Sequence, residues 1–187
     1  MRVIAGSFRG KKLLSPQGLV TRPTSDRVKE ALFNILTSRN NFTDIRVIDI
    51  CAGTGSLGIE ALSRGARSCS FVESERLVVS ILNKNLIDTC GKTRSEILNM
   101  DALDAIQRCV VRGSQFDLAF FDPPYLSDLY QSVPDAIASS GILVSGSVLV
   151  IECSARNRLP ESYGSLKRFD RREYGETALE LFVSEGK

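Results

Sequence analysis

The chain has 187 residues, of which 43% are apolar and 25% charged, proportions typical of one globular domain with a sizeable core. Its formal net charge of +2 provides no overall basic field, and it contains no histidine. The absence of imidazole excludes a Ser-His-Asp triad, a histidine general base and the zinc sites that need histidine.

Cysteine usage and hydropathy indicate a reducing compartment. No two cysteines form a C-x-x-C pair, which favours buried, reduced thiols over a disulfide framework. No apolar run is long enough to span a membrane, and the first residues lack the apolar core of a signal peptide. We therefore expect a cytoplasmic protein, and a monomer by default. The scattered thiols are Cys51, Cys69, Cys90, Cys109 and Cys153.

The first thirty residues carry most of the uneven positive charge. This basic stretch is either a solvated face or an arm that contacts phosphates, and the sequence leaves both interpretations open. Residues 2–6 and 11–15 predict a small β-hairpin, and "SDRVKEALFNILTS" predicts a helix capped by Thr24 or Ser25. The basic residues are Arg2, Arg9, Lys11, Lys12, Arg22, Arg27 and Lys29.

From residue 46 onward, apolar strand-like runs alternate with helical stretches. Strands are expected at 46–50, 68–73, 94–100, 116–122 and 147–152, with helices near 57–64, 75–89, 101–110 and 128–139. This alternation is typical of a mostly parallel sheet wrapped by helices on both faces. Two further runs around residues 174–177 predict a terminal antiparallel hairpin. The expected fold class is therefore α/β, with a doubly wound sheet of seven strands.

A glycine loop, "CAGTGSLG", follows the first of these strands. Gly53, Gly55 and Gly58 have the spacing of a dinucleotide-binding loop, although a structural turn would also explain it. Asp49, four residues before the first glycine, opposes the binding of an anionic pyrophosphate there. S-adenosylmethionine carries a sulfonium and an α-ammonium but no phosphate, so the charge pattern favours that cofactor.

Four acidic residues fall at the carboxyl ends of successive strands, where ligands bind in such sheets: Asp49, Glu73, Asp101 and Asp122. Glu73 is placed to accept hydrogen bonds from ribose hydroxyls. Asp101 is either a helix N-cap or the acceptor of the adenine amino group, with the backbone amide of Ala102 facing a ring nitrogen. Four such acids together indicate one shared crevice.

The most specific feature is "FDLAFFDPPYLSD", in which a buried strand runs into Asp122-Pro123-Pro124-Tyr125. Two consecutive prolines end the strand at the ligand edge of the sheet. Asp122 and the backbone carbonyl beside Pro123 can each accept a hydrogen from the exocyclic amine of a nucleobase. Tyr125 offers a flat face on which a base can stack. The segment therefore predicts methyl transfer to a nucleobase amine, a displacement governed by positioning, without a strong general base.

The chain resembles the RsmD family of small-subunit rRNA guanine-N(2) methyltransferases. The resemblance extends over nearly the whole chain and rests on "RVIAGSFRGKKL", "RPTSDRVKEALFNIL", "VIDICAGTGSLGIEALSRGA", "FVE", "FDLAFFDPPY" and "YGET". It implies a class I S-adenosylmethionine-dependent, Rossmann-like methyltransferase fold over residues 25–187. It also implies an N-terminal β-hairpin arm, residues 1–24, that contacts 16S rRNA.

The resemblance also implies a substrate and a set of site residues. The substrate is the guanine at position 966 of 16S rRNA in the small ribosomal subunit, and the product of the cofactor is S-adenosylhomocysteine. No metal is implied. Cys51, Thr54 and Ser56 depart mildly from the family's usual residues. The implied site residues are Asp49, Ala52, Gly53, Thr54, Gly55, Glu73, Asp101 and Ala102 for the cofactor; Asp122, Pro123, Pro124 and Tyr125 for catalysis; and Arg9, Lys11, Lys12, Arg22, Thr24 and Tyr125 for the substrate.

The guanine target comes from the family, because Asp122-Pro123-Pro124-Tyr125 would serve an adenine or cytosine amine equally well. Three alternatives remain at this point. One is an amino methyltransferase that acts on DNA or on another RNA. The others are an oxidoreductase dependent on NAD(P) and a catalytically silent RNA-binding assembly factor, the last of which the intact acids count against.

Overall fold

The computed structural model describes residues 1–16, 26–39, 41–124 and 128–186. Within these ranges eight strands form one sheet: β1 (Arg46–Ile50), β2 (Ser68–Val72), β3 (Ser95–Leu98), β4 (Phe116–Phe121), β5 (Leu143–Ser154), β6 (Ser162–Tyr163), β7 (Leu166–Tyr174) and β8 (Thr177–Ser184). The same ranges contain five helices: α1 (Asp26–Arg39), α2 (Ser56–Ser63), α3 (Arg76–Ile87), α4 (Ala102–Val111) and α5 (Leu129–Ser140).

The strands lie in the order β3-β2-β1-β4-β5-β8-β7-β6. The first five in this order are mutually parallel, whereas β8, β7 and β6 are antiparallel to their neighbours. The order reverses at β1, which has β2 on one side and β4 on the other. A crevice for ligands is expected beyond the carboxyl ends of the strands at such a reversal.

A hydrophobic layer covers each face of the sheet. On one face, α4 and α5 pack through residues such as Ile106 and Ile137 against Ile48 and Phe121. On the other, α1, α2 and α3 pack against alternate residues of the same strands, among them Val47, Leu118 and Phe120. Burial on both faces explains why the central strands are continuously apolar. In the described part of the chain, no helix is long and apolar enough to cross a membrane.

The predicted fold class is confirmed, and each expected strand and helix from residue 46 onward is present within a few residues. The sheet has one strand more than the expected seven, since β6 pairs two residues with β7. A strand of two residues has no periodicity that a sequence pattern could reveal. Thr24 and Ser25, the expected caps of the first helix, lie outside the described residues.

The N-terminal arm, defined here as residues 1–16, is less regular than the predicted β-hairpin. Its two runs share one isolated bridge, between Arg2 and Lys12, and three backbone hydrogen bonds, from the amides of Val3, Gly10 and Leu13 to the carbonyls of Lys11, Val3 and Met1. The pairing ends after Val3, where the amides of Ile4 and Ala5 donate to the two carboxylate oxygens of Glu60 in α2, at 2.7 and 3.0 Å. These two bonds attach the arm to the domain. The boundary of the arm at residue 24 remains a prediction.

Buried polar side chains attach the arm to the rest of the domain. The fully buried Lys29 of α1 donates from Nζ to the carbonyl of Arg2 at 2.7 Å and to Ser56 Oγ at 3.1 Å, and lies 3.7 Å from Glu60. Asn85 of α3 bonds both backbone groups of Leu14 and donates to the carbonyl of Thr54. The arm is thus connected to the start of α2 and to the glycine loop.

Candidate active site

The glycine loop crosses the carboxyl edge of β1 in an unusual backbone conformation. Cys51, Gly53 and Gly55 have positive φ angles of 60°, 55° and 84°. A methyl group added at Gly55 would lie 2.5 Å from Leu82 of α3, whereas one added at Gly53 would meet no atom within 4 Å. Gly55 is therefore needed for packing, and the open space over Gly53 leaves room for a ligand to approach the backbone.

Asp49 lies beneath this loop and not on its surface. Its side chain is buried, and Oδ2 accepts a hydrogen bond of 2.8 Å from the amide of Gly58, the third residue of α2. Burial and, to a smaller extent, the charge of Glu73 raise the pKa of Asp49 to about 7, while the bond from Gly58 acts against this rise. Its structural role is to satisfy a free amide in the first turn of α2. Direct contact with a cofactor remains a prediction.

Glu73 follows β2 and binds the loop from the other side. Its Oε2 accepts from the amide of Gly53 at 2.9 Å, and its Oε1 accepts from the amide of Glu75 at 2.9 Å. Asn99, which the sequence analysis missed, donates to the carbonyls of Glu73 and Ser74 at 2.8 and 2.9 Å. These bonds hold the loops after β1, β2 and β3 together. Ligands bind beyond the carboxyl ends of parallel strands, and only this rule, applied to asparagine as well as to acids, could have indicated Asn99 from the sequence.

Asp101 begins α4 at the same edge. It has the extended backbone of an N-cap residue, with φ −67° and ψ 155°, but its side chain makes no capping hydrogen bond. Its carboxylate is exposed, and Ala102 behind it is buried. The structure thus does not support the simple N-cap interpretation, and leaves the Asp101 carboxylate available to a ligand.

Asp122 continues β4 by one residue. Its amide donates to the carbonyl of Ile50 on β1 at 3.2 Å, and its side chain is half-buried. Pro123 is buried and Pro124 exposed, so the chain leaves the sheet at the prolines as predicted. Burial, followed by the charges of Glu152 and Asp49, raises the pKa of Asp122 well above its usual range. Tyr125 lies outside the described residues.

Glu152 is a further acid of this edge that the sequence analysis missed. It lies on β5 and is buried, with only 4% of its surface exposed. The hydroxyl of Tyr130 lies 3.2 Å from the carbonyl oxygen of Glu152 and 3.5 Å from that of Pro123. Four acids were indicated because ligands bind beyond the carboxyl ends of parallel strands. The same reasoning applies to Glu152, because β5 is parallel to β4.

The predicted substrate-binding residues are less close to the crevice. Arg9, Lys11 and Lys12 are exposed on the arm. The tip of the arm contacts Ser63, at the end of α2 farthest from the glycine loop: the amides of Ser7 and Phe8 bind the Ser63 carbonyl and hydroxyl. Arg9, next to this tip, therefore lies beside the end of α2. Lys12 is two residues before Leu14, which Asn85 connects to the glycine loop. Arg22 and Thr24 lie outside the described residues.

Two clefts in the described part of the chain lie away from this crevice. Clefts of about 290 and 460 Å³ lie at the opposite, amino edge of the sheet, near Gln115 and Asp117. Neither includes a predicted site residue. Across the described ranges, no group of three or more histidine, cysteine or acidic side chains could hold a metal ion.

Comparison with known proteins connects this geometry to a family. The family model described as "Conserved hypothetical protein 95" matches residues 1–183. Ribosomal RNA small subunit methyltransferase D of Escherichia coli K12 is 31% identical over 99% of this chain and 90% of its own length. Its Haemophilus influenzae counterpart is 36% identical over 89% of this chain and 86% of its own. The chain belongs to the RsmD family.

Solved structures agree with this membership. The Escherichia coli protein YhhF superposes with a TM-score of 0.87 and 32% identity over 100% of this chain and 99% of its own. The Thermus thermophilus protein TTHA0928 superposes with a TM-score of 0.84 and 29% identity over 97% of this chain and 98% of its own. By family and by fold this chain is a methyltransferase, and the resemblance seen in the sequence is confirmed.

Proposed function

We propose that this protein transfers a methyl group from S-adenosylmethionine to the N2 amine of a guanine in 16S rRNA, the guanine at position 966. The observation that carries the proposal is Asp122-Pro123-Pro124, which ends β4 beside the glycine loop. This arrangement brings acceptors for an amine next to a loop that can hold a methyl donor. The relatives' name, small-subunit rRNA methyltransferase, supports the choice of RNA.

The glycine loop and the neighbouring acids fit an adenosine cofactor without phosphates. The open space above Gly53 suits the amino-acid portion. Glu73 accepts from the ribose hydroxyls, and the exposed Asp101 accepts from the adenine amino group, with the Ala102 amide at a ring nitrogen. When bound, S-adenosylmethionine supplies an electrophilic methyl group on a sulfonium.

The acceptor residues act by positioning the target amine. Its lone pair is delocalised into the ring, which makes it a poor nucleophile. The Asp122 carboxyl and the Pro123 carbonyl each accept one amino hydrogen, which turns the lone pair toward the methyl group. A nitrogen–carbon bond forms, the carbon–sulfur bond breaks with its electrons going to sulfur, and the alkylated nitrogen releases a proton to water. Tyr125 stacks on the base.

The arm supplies affinity for the RNA backbone. Exposed Arg9, Lys11 and Lys12 on the arm, together with Arg22 and Thr24, which the family resemblance adds, contact phosphates of the small ribosomal subunit or of its assembly intermediate. Because the overall charge is only +2, binding depends on this local concentration of positive charge.

A transfer assay with three substrates tests the proposal. Small-subunit particles, naked 16S rRNA and duplex DNA are each incubated with the protein and methyl-labelled S-adenosylmethionine, and the product nucleosides are identified. We expect N2-methylguanine in rRNA, mapped to a single position. Label only in DNA, as methyladenine, would contradict the proposal. Binding of NAD(P) without binding of S-adenosylmethionine would instead support an oxidoreductase.

A further inference from the structure

Glu152 lies beside Asp122 at the acceptor half of the crevice. The registers pair Ile50 with Phe121 and Phe121 with Ile151. One residue further along each strand, Asp122 and Glu152 are neighbours. Their side chains lie on the face that Phe120 and Val150 share with α1, because successive residues of a strand alternate between faces. Two carboxyl groups therefore adjoin the position of the target amine.

The backbone around this pair is fixed by Tyr130. Its hydroxyl is within 3.2 Å of the Glu152 carbonyl oxygen and 3.5 Å of the Pro123 carbonyl oxygen, and its own carbonyl accepts from the hydroxyl of Tyr163 at 2.8 Å. The start of the proline segment and the end of β5 are thus connected through one side chain of α5. Such support keeps Glu152 at a constant distance from the segment that holds the base.

The two purines differ in the group next to their exocyclic amine. Guanine presents an N1–H donor beside its N2 amine, so it offers donors at adjacent positions. Adenine presents a bare N1, an acceptor, beside its N6 amine. Asp122 and Pro123 take only the hydrogens of the amine and accept either base. A second carboxylate next to Asp122 accepts from guanine N1–H but repels the lone pair of adenine N1.

Burial makes this second carboxylate selective. Burial and, after it, the charge of Glu152 raise the pKa of Asp122, so the two carboxyl groups are close enough to interact. A buried acceptor that meets another acceptor loses its hydrogen bond and gains repulsion. Sites built to hydrogen-bond one group reject analogues without it far more strongly than apolar pockets do.

We propose that Glu152 is the specificity-determining residue that reads the N1–H of the target guanine, while Asp122 and Pro123 hold its N2 amine. This inference rests on the proposed function, because it presupposes a nucleobase amine at Asp122. It gives a physical reason for guanine where the Asp122-Pro123-Pro124-Tyr125 motif gives none.

The test uses 2-aminopurine, which keeps the 2-amine but has a bare N1 and no oxygen at position 6. Small-subunit rRNA with guanine or 2-aminopurine at the accepting position is assembled into particles. For the unaltered protein we expect kcat/KM for guanine to exceed that for 2-aminopurine by at least roughly tenfold. Equal use of the two bases would overturn the inference without any variant. No transfer to guanine particles would refute the proposed function itself.

The variant Glu152→Gln sharpens the test. Glutamine can turn its amide NH2 toward N1 and donate, so the preference for guanine should fall by roughly 10-fold or more. Glu152→Asp keeps the carboxylate and should keep the preference. The ratio of two substrates on one preparation does not depend on the folded fraction, so partial unfolding cannot imitate the effect. Ser147→Ala, another buried polar residue of β5, is the matched control. An unchanged ratio in Glu152→Gln would exclude the assigned role.

Discussion

The acids of the carboxyl edge fall into two groups with different environments. On the cofactor half, Asp101 is exposed, and Glu73 binds the backbone amides of Gly53 and Glu75. On the acceptor half, Asp122 and Glu152 are close together, and Glu152 is almost wholly buried. Asp101 can keep its solvation until a ligand arrives, and Glu73 exchanges part of its solvation for backbone amides, whereas Asp122 and Glu152 bear a desolvation cost at all times.

This difference in solvation indicates that the two groups of acids suit different ligands. Solvated carboxylates suit the neutral hydroxyls and amines of a cofactor, which must enter and leave with each turnover. Buried carboxyl groups suit a base whose donors have to be distinguished, because hydrogen bonds in a low-dielectric surrounding are stronger and mismatches cost more. Asp49 on β1 lies between the two groups and is buried beneath the glycine loop.

The largest effect is expected at Asp122. Asp122→Ala should lower methyl transfer by roughly 10²–10³-fold or more, the scale for the loss of a preorganised partner in a transition state. Affinity for S-adenosylhomocysteine, measured by calorimetry, should stay within a few-fold. Asp122→Asn keeps a carbonyl acceptor and should retain much more activity than the alanine variant. Equal transfer by Asp122→Ala and the unaltered protein would remove Asp122 from the catalytic role.

The raised pKa of Asp49 predicts that the stability of the protein depends on pH. Its pKa is about 7 in the folded protein, compared with about 3.9 in an unfolded chain, so the folded state binds the proton more tightly. The free energy of unfolding should therefore fall between about pH 4 and pH 7, by up to about 4 kcal/mol, and level off above. Asp49→Asn keeps an acceptor for the Gly58 amide and removes this dependence.

Thermal unfolding of the cofactor-free protein at pH 5 and pH 8 tests whether stability falls as the pH rises. The melting temperature of Asp49→Asn relative to the unaltered protein should rise between the two pH values. Asp117→Asn is the matched control, since the pKa of that carboxyl, despite partial burial, is lowered by its bonds to Arg46 and its titration falls below this range. Its melting temperature relative to the unaltered protein should stay nearly constant. If the melting temperatures of Asp49→Asn and of the unaltered protein changed equally between the two pH values, the elevated pKa of Asp49 would be refuted.

The division of the acids into a cofactor half and an acceptor half could largely be predicted from the sequence, because it depends on where the strands end. Asp101 and Asp122 were located by the rule that ligands meet the carboxyl ends of parallel strands, and the structure brings both to that edge. The positions of the prolines fixed the end of β4. These features are local in sequence, so a single chain reveals them.

What the sequence did not reveal depends on side-chain direction and long-range packing. Contact between Asp49 and the cofactor remains a prediction, and no sequence pattern indicated that Asp49 also accepts from an amide nine residues later in α2. Glu152 is separated from Asp122 by thirty residues, and only the parallel pairing of β4 and β5 makes them neighbours. The attachment of the arm depends on Glu60, whose carboxylate binds backbone amides more than fifty residues earlier.

Glu73 should have an intermediate effect, confined to the cofactor. Glu73→Ala should weaken binding of S-adenosylmethionine by about 1.5–3 kcal/mol, the scale for a hydrogen bond to a charged group. Because Glu73 also supports the Gly53 amide, an analogue without ribose hydroxyls separates the two roles. Its affinity should be nearly the same for both proteins if Glu73 acts on the ribose. An equal loss with the analogue would show that Glu73 only supports the loop.

The smallest effect per residue is expected on the arm, which lies outside both groups of acids. Replacing Arg9, Lys11 and Lys12 by glutamine should weaken RNA binding and reduce the slope of log affinity against log salt by roughly 1 for each phosphate that is no longer neutralised. Affinity for S-adenosylhomocysteine should not change, because attachment of the arm uses Lys29, Glu60 and buried backbone groups instead of these exposed side chains. Arg108 on α4 and Lys167 on β7 are exposed basic residues away from the arm and from the carboxyl edge of the sheet, and their replacement by glutamine is the control. If the arm variant and this control had the same salt slope, the charge of the arm would only keep a face solvated. The RNA would then be held by residues nearer the crevice.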